Sequence, residues 1–64
     1  MYQYFATKGN VMEAVIALQS NLLDFADYGC RVTEPKHKRE VYGWVKTETR
    51  LPETVKESYE LFDD

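Results

Sequence analysis

The chain has 64 residues and a net charge of −3, and 44% of its residues are hydrophobic and 14% aromatic. Such a chain is one domain, buries only about 60% of its unfolded surface, and is too rich in aromatic residues to be a disordered segment. A single cysteine, Cys30, and a single histidine, His37, exclude an intramolecular disulfide and a zinc site built on Cys and His. No stretch has the length of a membrane span, no cofactor or metal is expected, and the absence of staples points to a reducing, cytoplasmic compartment.

The first element is a strand over residues 2–7, where Tyr2, Tyr4 and Ala6 alternate with Gln3 and Phe5. Lys8-Gly9 forms a turn, and Asn10 is placed to cap a helix, with Glu13 three residues later to reach back. Val11, Val15, Leu18, Leu22 and Phe25 then recur at alternating spacings of four and three, and Met12, Ile16 and Leu23 widen the stripe. Glu13, Ser20, Asp24 and Asp27 gather on the opposite side. This pattern predicts one long helix to Asp27 or Tyr28, ended by a left-handed Gly29.

Residues 30–47 read as a β-hairpin with a polar turn of Pro35, Lys36, His37, Lys38 and Arg39. In its second strand Val41, Gly43 and Val45 share one face and Tyr42, Trp44 and Lys46 the other, with Gly43 marking a bulge or a close backbone approach. Pro52 and Glu53 suit the start of a second helix running to about Leu61, with Leu51, Val55, Tyr59 and Phe62 on one face and a fraying acidic end. The expected fold is α+β, β-α-β-β-α, with a three-stranded sheet of order 1-3-2 and the helices packed on one face.

For function, the stripe Val11, Val15, Leu18, Leu22 and Phe25 is wider than a small sheet needs, so it serves either as core or as a helical face shared with a partner or a second copy. Residues 31–50 carry a charge of +3 and residues 51–64 a charge of −4. Lys36, Lys38 and Arg39, with Arg31 and Lys46 and the rings of Tyr42 and Trp44, offer cations and stacking surfaces. That combination suits a protein partner or, as an alternative, single-stranded nucleic acid. The acidic row Glu53, Glu57 and Glu60, with Asp63 and Asp64, is a solvated face or a phosphate mimic.

Little here suggests catalysis. His37 lies between lysines in a loop expected to be exposed, Cys30 reads as a small buried residue, and the carboxylate pairs Asp24/Asp27 and Glu57/Glu60 have no cleft in which to work. No glycine-rich phosphate loop is present. The expected function is a non-enzymatic protein-binding or regulatory role, as a homodimer or docked on a larger protein, with no membrane partner. In size and composition, though by no motif, the chain resembles accessory proteins of phages and mobile elements, which implies an inhibitor of a host protein.

Overall fold

A computed structural model describes residues 1–64. The elements are β1 (Tyr2–Ala6), α1 (Val11–Ala17), β2 (Leu22–Glu34), β3 (Arg39–Thr47), α2 (Glu53–Ser58) and β4 (Leu61–Asp63), with a single 3-10 turn at Gln19–Asn21 between α1 and β2. They form an α+β fold with one sheet of order β2-β3-β1-β4, every neighbouring pair antiparallel. The sheet therefore has four strands rather than the expected three. β3 does lie between β1 and β2, but a further strand joins the free side of β1.

The alternation in β1 and β3 builds the core. Tyr4 opposes Val45 and Ala6 opposes Gly43, whereas Phe5 opposes Trp44 and Gln3 opposes Lys46 on the other face. Against the first face α1 lays Val11 and Val15, and Leu18, Leu51 and Leu61 close the same cluster. Burying an aliphatic side chain of this kind contributes about 1.5–3 kcal/mol. Val55 and Tyr59 of the α2 region lean on its margin. Gly43 belongs to this core for lack of a side chain. A Cβ there would collide with the Ala26 carbonyl oxygen and approach Val11 Cγ2 to 3.1 Å, so the close backbone approach read from the sequence is real.

The long helix is not formed. α1 stops at Ala17, and Leu22, Leu23 and Phe25 lie in β2. Three physical terms favour this outcome. A helix of 18 residues is about 27 Å long, whereas a five-residue strand spans about 17 Å, so the predicted helix would overhang β1. The nine residues of β3 also need a partner along their whole length, and β2 supplies one from Leu22 to Glu34. Finally, the polar run Gln19-Ser20-Asn21 turns the chain. Asn21 Oδ1 accepts the Thr49 backbone N–H at 2.9 Å and the Thr49 hydroxyl at 3.1 Å, and Asn21 Nδ2 donates to the Thr49 carbonyl at 3.2 Å.

Other local expectations shift with it. The Asn10 side chain makes no cap bond to a backbone amide; its Nδ2 donates to Glu13 instead, at 3.4 Å. Gly29 has φ of +72° but ends no helix. It lies where the β2–β3 register slips between Asp27 and Val32, and its N–H donates to Asp27 Oδ1 at 3.1 Å. A second slip falls between Leu22 and Asp24. Cys30, expected to be buried, is exposed in the same irregular segment. The second helix ends at Ser58, Glu60 takes φ of +52°, and the acidic end continues as β4, pairing Leu61 with Ala6 and Phe62 with Phe5.

Candidate functional site

The two edges of the sheet differ. β4 is three residues long, but β2 runs for 13 residues and its side away from β3 carries no strand. An unpaired edge presents backbone donors and acceptors that can template another strand. Along this one the large apolar side chains Leu23, Phe25, Tyr28 and Val32 are all exposed, Leu23 by 52% and Phe25 by 40%. Part of the edge is blunted. The Asp24 carboxylate accepts the Phe25 N–H at 2.8 Å, and the register slips interrupt the strand. On α1, Met12 and Ile16 point away from the core, Ile16 with 68% of its surface free.

The residues singled out from the sequence separate. Val11, Val15 and Leu18 are core residues of this chain, while Leu22 and Phe25 belong to β2, so the five do not make one helical face. Tyr42 and Trp44 also part company. Tyr42 packs on the helix-side core beside Gly9, whereas Trp44 lines a concavity on the opposite face. Val45 faces the helices, and Val41, though wholly buried, lies outside their cluster and lines the same concavity as Trp44.

The hairpin turn folds across that opposite face. His37, only 23% exposed, places its ring edge-on to Phe5 and Phe62, at centroid distances of 5.8 and 5.2 Å. Its backbone N–H donates to Glu34 Oε2 at 2.6 Å, and its Nε2 lies 3.1 Å from Asp64 Oδ1. Lys36 Nζ donates to the same oxygen at 3.2 Å. The hydrogen bond with His37, and after it the one from Lys36, holds the Asp64 carboxyl below the ordinary carboxylate range. Arg39 lays its guanidinium 4.2 Å from the Phe62 centroid, a cation–π contact. Arg31 pairs with Glu40 at 3.4 Å. Of the basic hairpin, Lys36 and Arg39 are thus engaged within the chain, and Lys38 is exposed at a positive φ of 54°. The packing of His37 was invisible in the sequence, because its partners Phe62 and Asp64 lie on β4 and just beyond it.

A second ionic group ties α2 to β4. Lys56, its side chain 10% exposed, donates to Asp63 at 2.7 Å and pairs with Glu53 at 2.9 Å. Those hydrogen bonds, Asp63 first, raise its ammonium above the ordinary lysine value. Two members of the acidic row, Glu53 and Asp63, thus share this one ammonium. No group of three or more His, Cys, Asp or Glu residues is arranged to hold a metal ion, and no helix is long and apolar enough to cross a membrane. No family model, curated protein or solved structure matches the chain.

Proposed function

We propose that this chain is a non-enzymatic protein-binding and regulatory module that docks through the edge of β2, and that the same edge pairs with a second copy of the chain. One observation carries the reading: a 13-residue edge strand with an open side and four exposed large apolar side chains, Leu23, Phe25, Tyr28 and Val32. Soluble proteins normally keep such edges short, charged or covered. Strand addition uses the free backbone groups for affinity and alternate side chains for selectivity. The small core supports the same view, since a domain of this size gains stability from any partner that binds only its folded form.

The nucleic-acid reading is the weaker alternative. Lys36 and Arg39 are held by Asp64 and Phe62, Arg31 by Glu40, and the net charge is −3. Few free cations remain on the hairpin to neutralise phosphates.

Sedimentation velocity across micromolar to millimolar concentrations tests the proposal. The native chain is expected to shift toward dimer with rising concentration. Leu23→Lys and Phe25→Lys, both at exposed positions, are expected to keep the circular dichroism spectrum and remain monomeric. A native chain that stays monomeric at every concentration would sink the self-pairing, and unchanged dimers in both variants would move the interface away from β2.

A further inference from the structure

The concavity on the face opposite the helices has a volume of about 240 Å³. Its walls come from three strands: Phe5 from β1, Trp44 from β3, and Tyr28, Val32 and Glu34 from β2. Phe5 and Trp44 are cross-strand partners and stand on one face. Tyr28 lines the same concavity from the irregular stretch of β2 between Asp27 and Val32, where the register with β3 shifts. Phe5, 7% exposed, also packs against His37 and Phe62.

The chemistry of this wall is selective. Aromatic rings carry negative faces that attract cations. The one charge in the lining is the Glu34 carboxylate, and no lysine or arginine lines the concavity. One Glu34 oxygen already accepts the His37 N–H, which leaves the other for a ligand. The other polar side chains of the lining, among them Gln3 and Thr33, are neutral, so a guanidinium finds no free bidentate carboxylate and an unmodified ammonium only one charged acceptor. A methylated ammonium has few or no donors to satisfy and is stabilised by ring faces and one nearby negative charge. The volume is below the roughly 300–1,000 Å³ of drug-sized sites and suits a single side-chain head. Trp44 already draws a cation from outside: Lys46 Nζ lies 5.5 Å from its ring centroid.

We propose that Phe5, Tyr28 and Trp44, with Glu34, form a cage for a methylated lysine side chain of a protein partner. The inference rests on the protein-binding reading in one respect, that the cation arrives on a polypeptide docked beside β2, which supplies Tyr28, Val32 and Glu34.

Trp44 is the only tryptophan, so its fluorescence reports directly on the cage. The probes are the Nα-acetyl methylamides of Nε-trimethyllysine, lysine, arginine and the neutral isostere with a tert-butyl head, titrated into the native chain at low micromolar concentration. Saturable change with trimethyllysine, and affinity about tenfold lower for each of the other three, is the expected result. Glu34→Gln keeps an acceptor for the His37 N–H, and Tyr28→Ala alters an exposed ring. With circular dichroism unchanged, each is expected to weaken trimethyllysine binding by about tenfold, and Lys46→Met, which removes the competing cation, to strengthen it. No saturable change with trimethyllysine overturns the proposal, as does equal binding of the neutral isostere or of arginine. Because sedimentation reads the β2 edge and fluorescence reads the cage, a chain that pairs but takes no cation refutes the cage alone.

Discussion

The Tyr4 hydroxyl accepts the backbone N–H of Leu51 at 3.0 Å, 47 positions away in the chain and inside the core. Tyr4 is 1% exposed and Leu51 5%, so no solvent can replace this bond. It joins the first strand to the segment that leads into α2, and it explains why a tyrosine rather than a phenylalanine fills that position.

Tyr4→Phe keeps the ring and leaves the Leu51 N–H unpaired in an apolar setting. A buried donor orphaned in this way costs about 1–3 kcal/mol. Urea denaturation is expected to show a loss in that range with an unchanged slope, and the Leu51 amide is expected to lose protection in hydrogen exchange. A loss below about 0.5 kcal/mol, the usual scale of a surface change, would mean that the bond is not made in solution.

Glycines at two positions give opposite expectations. At Gly43 an added methyl group meets the Ala26 carbonyl of the neighbouring strand, which cannot move without breaking the β2–β3 ladder. Gly43→Ala is expected to destabilise by about 1–3 kcal/mol or more, as overpacking does. At Gly9 the same change meets only the Tyr42 ring at ordinary contact distance, 3.8 Å. Gly9→Ala is expected to be neutral or to stabilise by up to about 1 kcal/mol through the unfolded chain. Thermal melts of the two variants side by side decide between these directions.

What could be read from the chain follows the range of the interactions. β1 and β3 were legible because strict alternation and aromatic or β-branched residues speak for a pleated surface wherever they occur. The position of β3 between β1 and β2 was legible from connection rules. Residues 18–28 were not legible, since Leu18, Leu22 and Phe25 satisfy a helical period while Leu23, Phe25 and Asp27 satisfy a strand period. Only distant partners, Thr49 on one side and Val45 on the other, select the strand. β4 was missed for a similar reason: three residues give no period, and their pairing with β1 is entirely long-range. The concavity lined by Trp44, Tyr28 and Phe5 was not legible either, because a helix ending near Tyr28 kept that residue far from the other two.

The attachment of the hairpin turn to the end of the chain is expected to depend on pH. The carboxyl of Asp64 is held below its ordinary range by the hydrogen bonds from His37 and Lys36. A group depressed on folding contributes stability that is present above its unfolded value and is lost as pH falls through the folded one. Acidification through and below the ordinary carboxylate range is therefore expected to release the His37 ring from Phe5 and Phe62 while the helix-side core stays intact. Proton NMR of those rings during an acid titration would display the release, and Asp64→Asn is expected to bring it to neutral pH. Ring shifts that follow the global unfolding curve at every pH would contradict this.

The turn at Asn21 gives the sharpest test of why the long helix fails. Its side chain makes three hydrogen bonds to Thr49, and its carbonyl accepts the Glu48 N–H at 2.9 Å. Together these bonds pin the start of β2 to the end of β3. Asn21→Ala removes the side-chain bonds but keeps the backbone one, and replaces a turn residue with the best helix former. Each exposed hydrogen bond is worth roughly 0.5–1.5 kcal/mol, and the three share one donor and one acceptor group, so a loss of about 1–2 kcal/mol is expected in denaturant titration. The isolated peptide of residues 10–28, freed from Thr49 and Val45, is expected to become helical in trifluoroethanol along the apolar stripe from Val11 to Phe25. If the peptide instead resists helix formation there, the strand preference of residues 22–28 is local, and long-range pairing is not what ends α1 at Ala17.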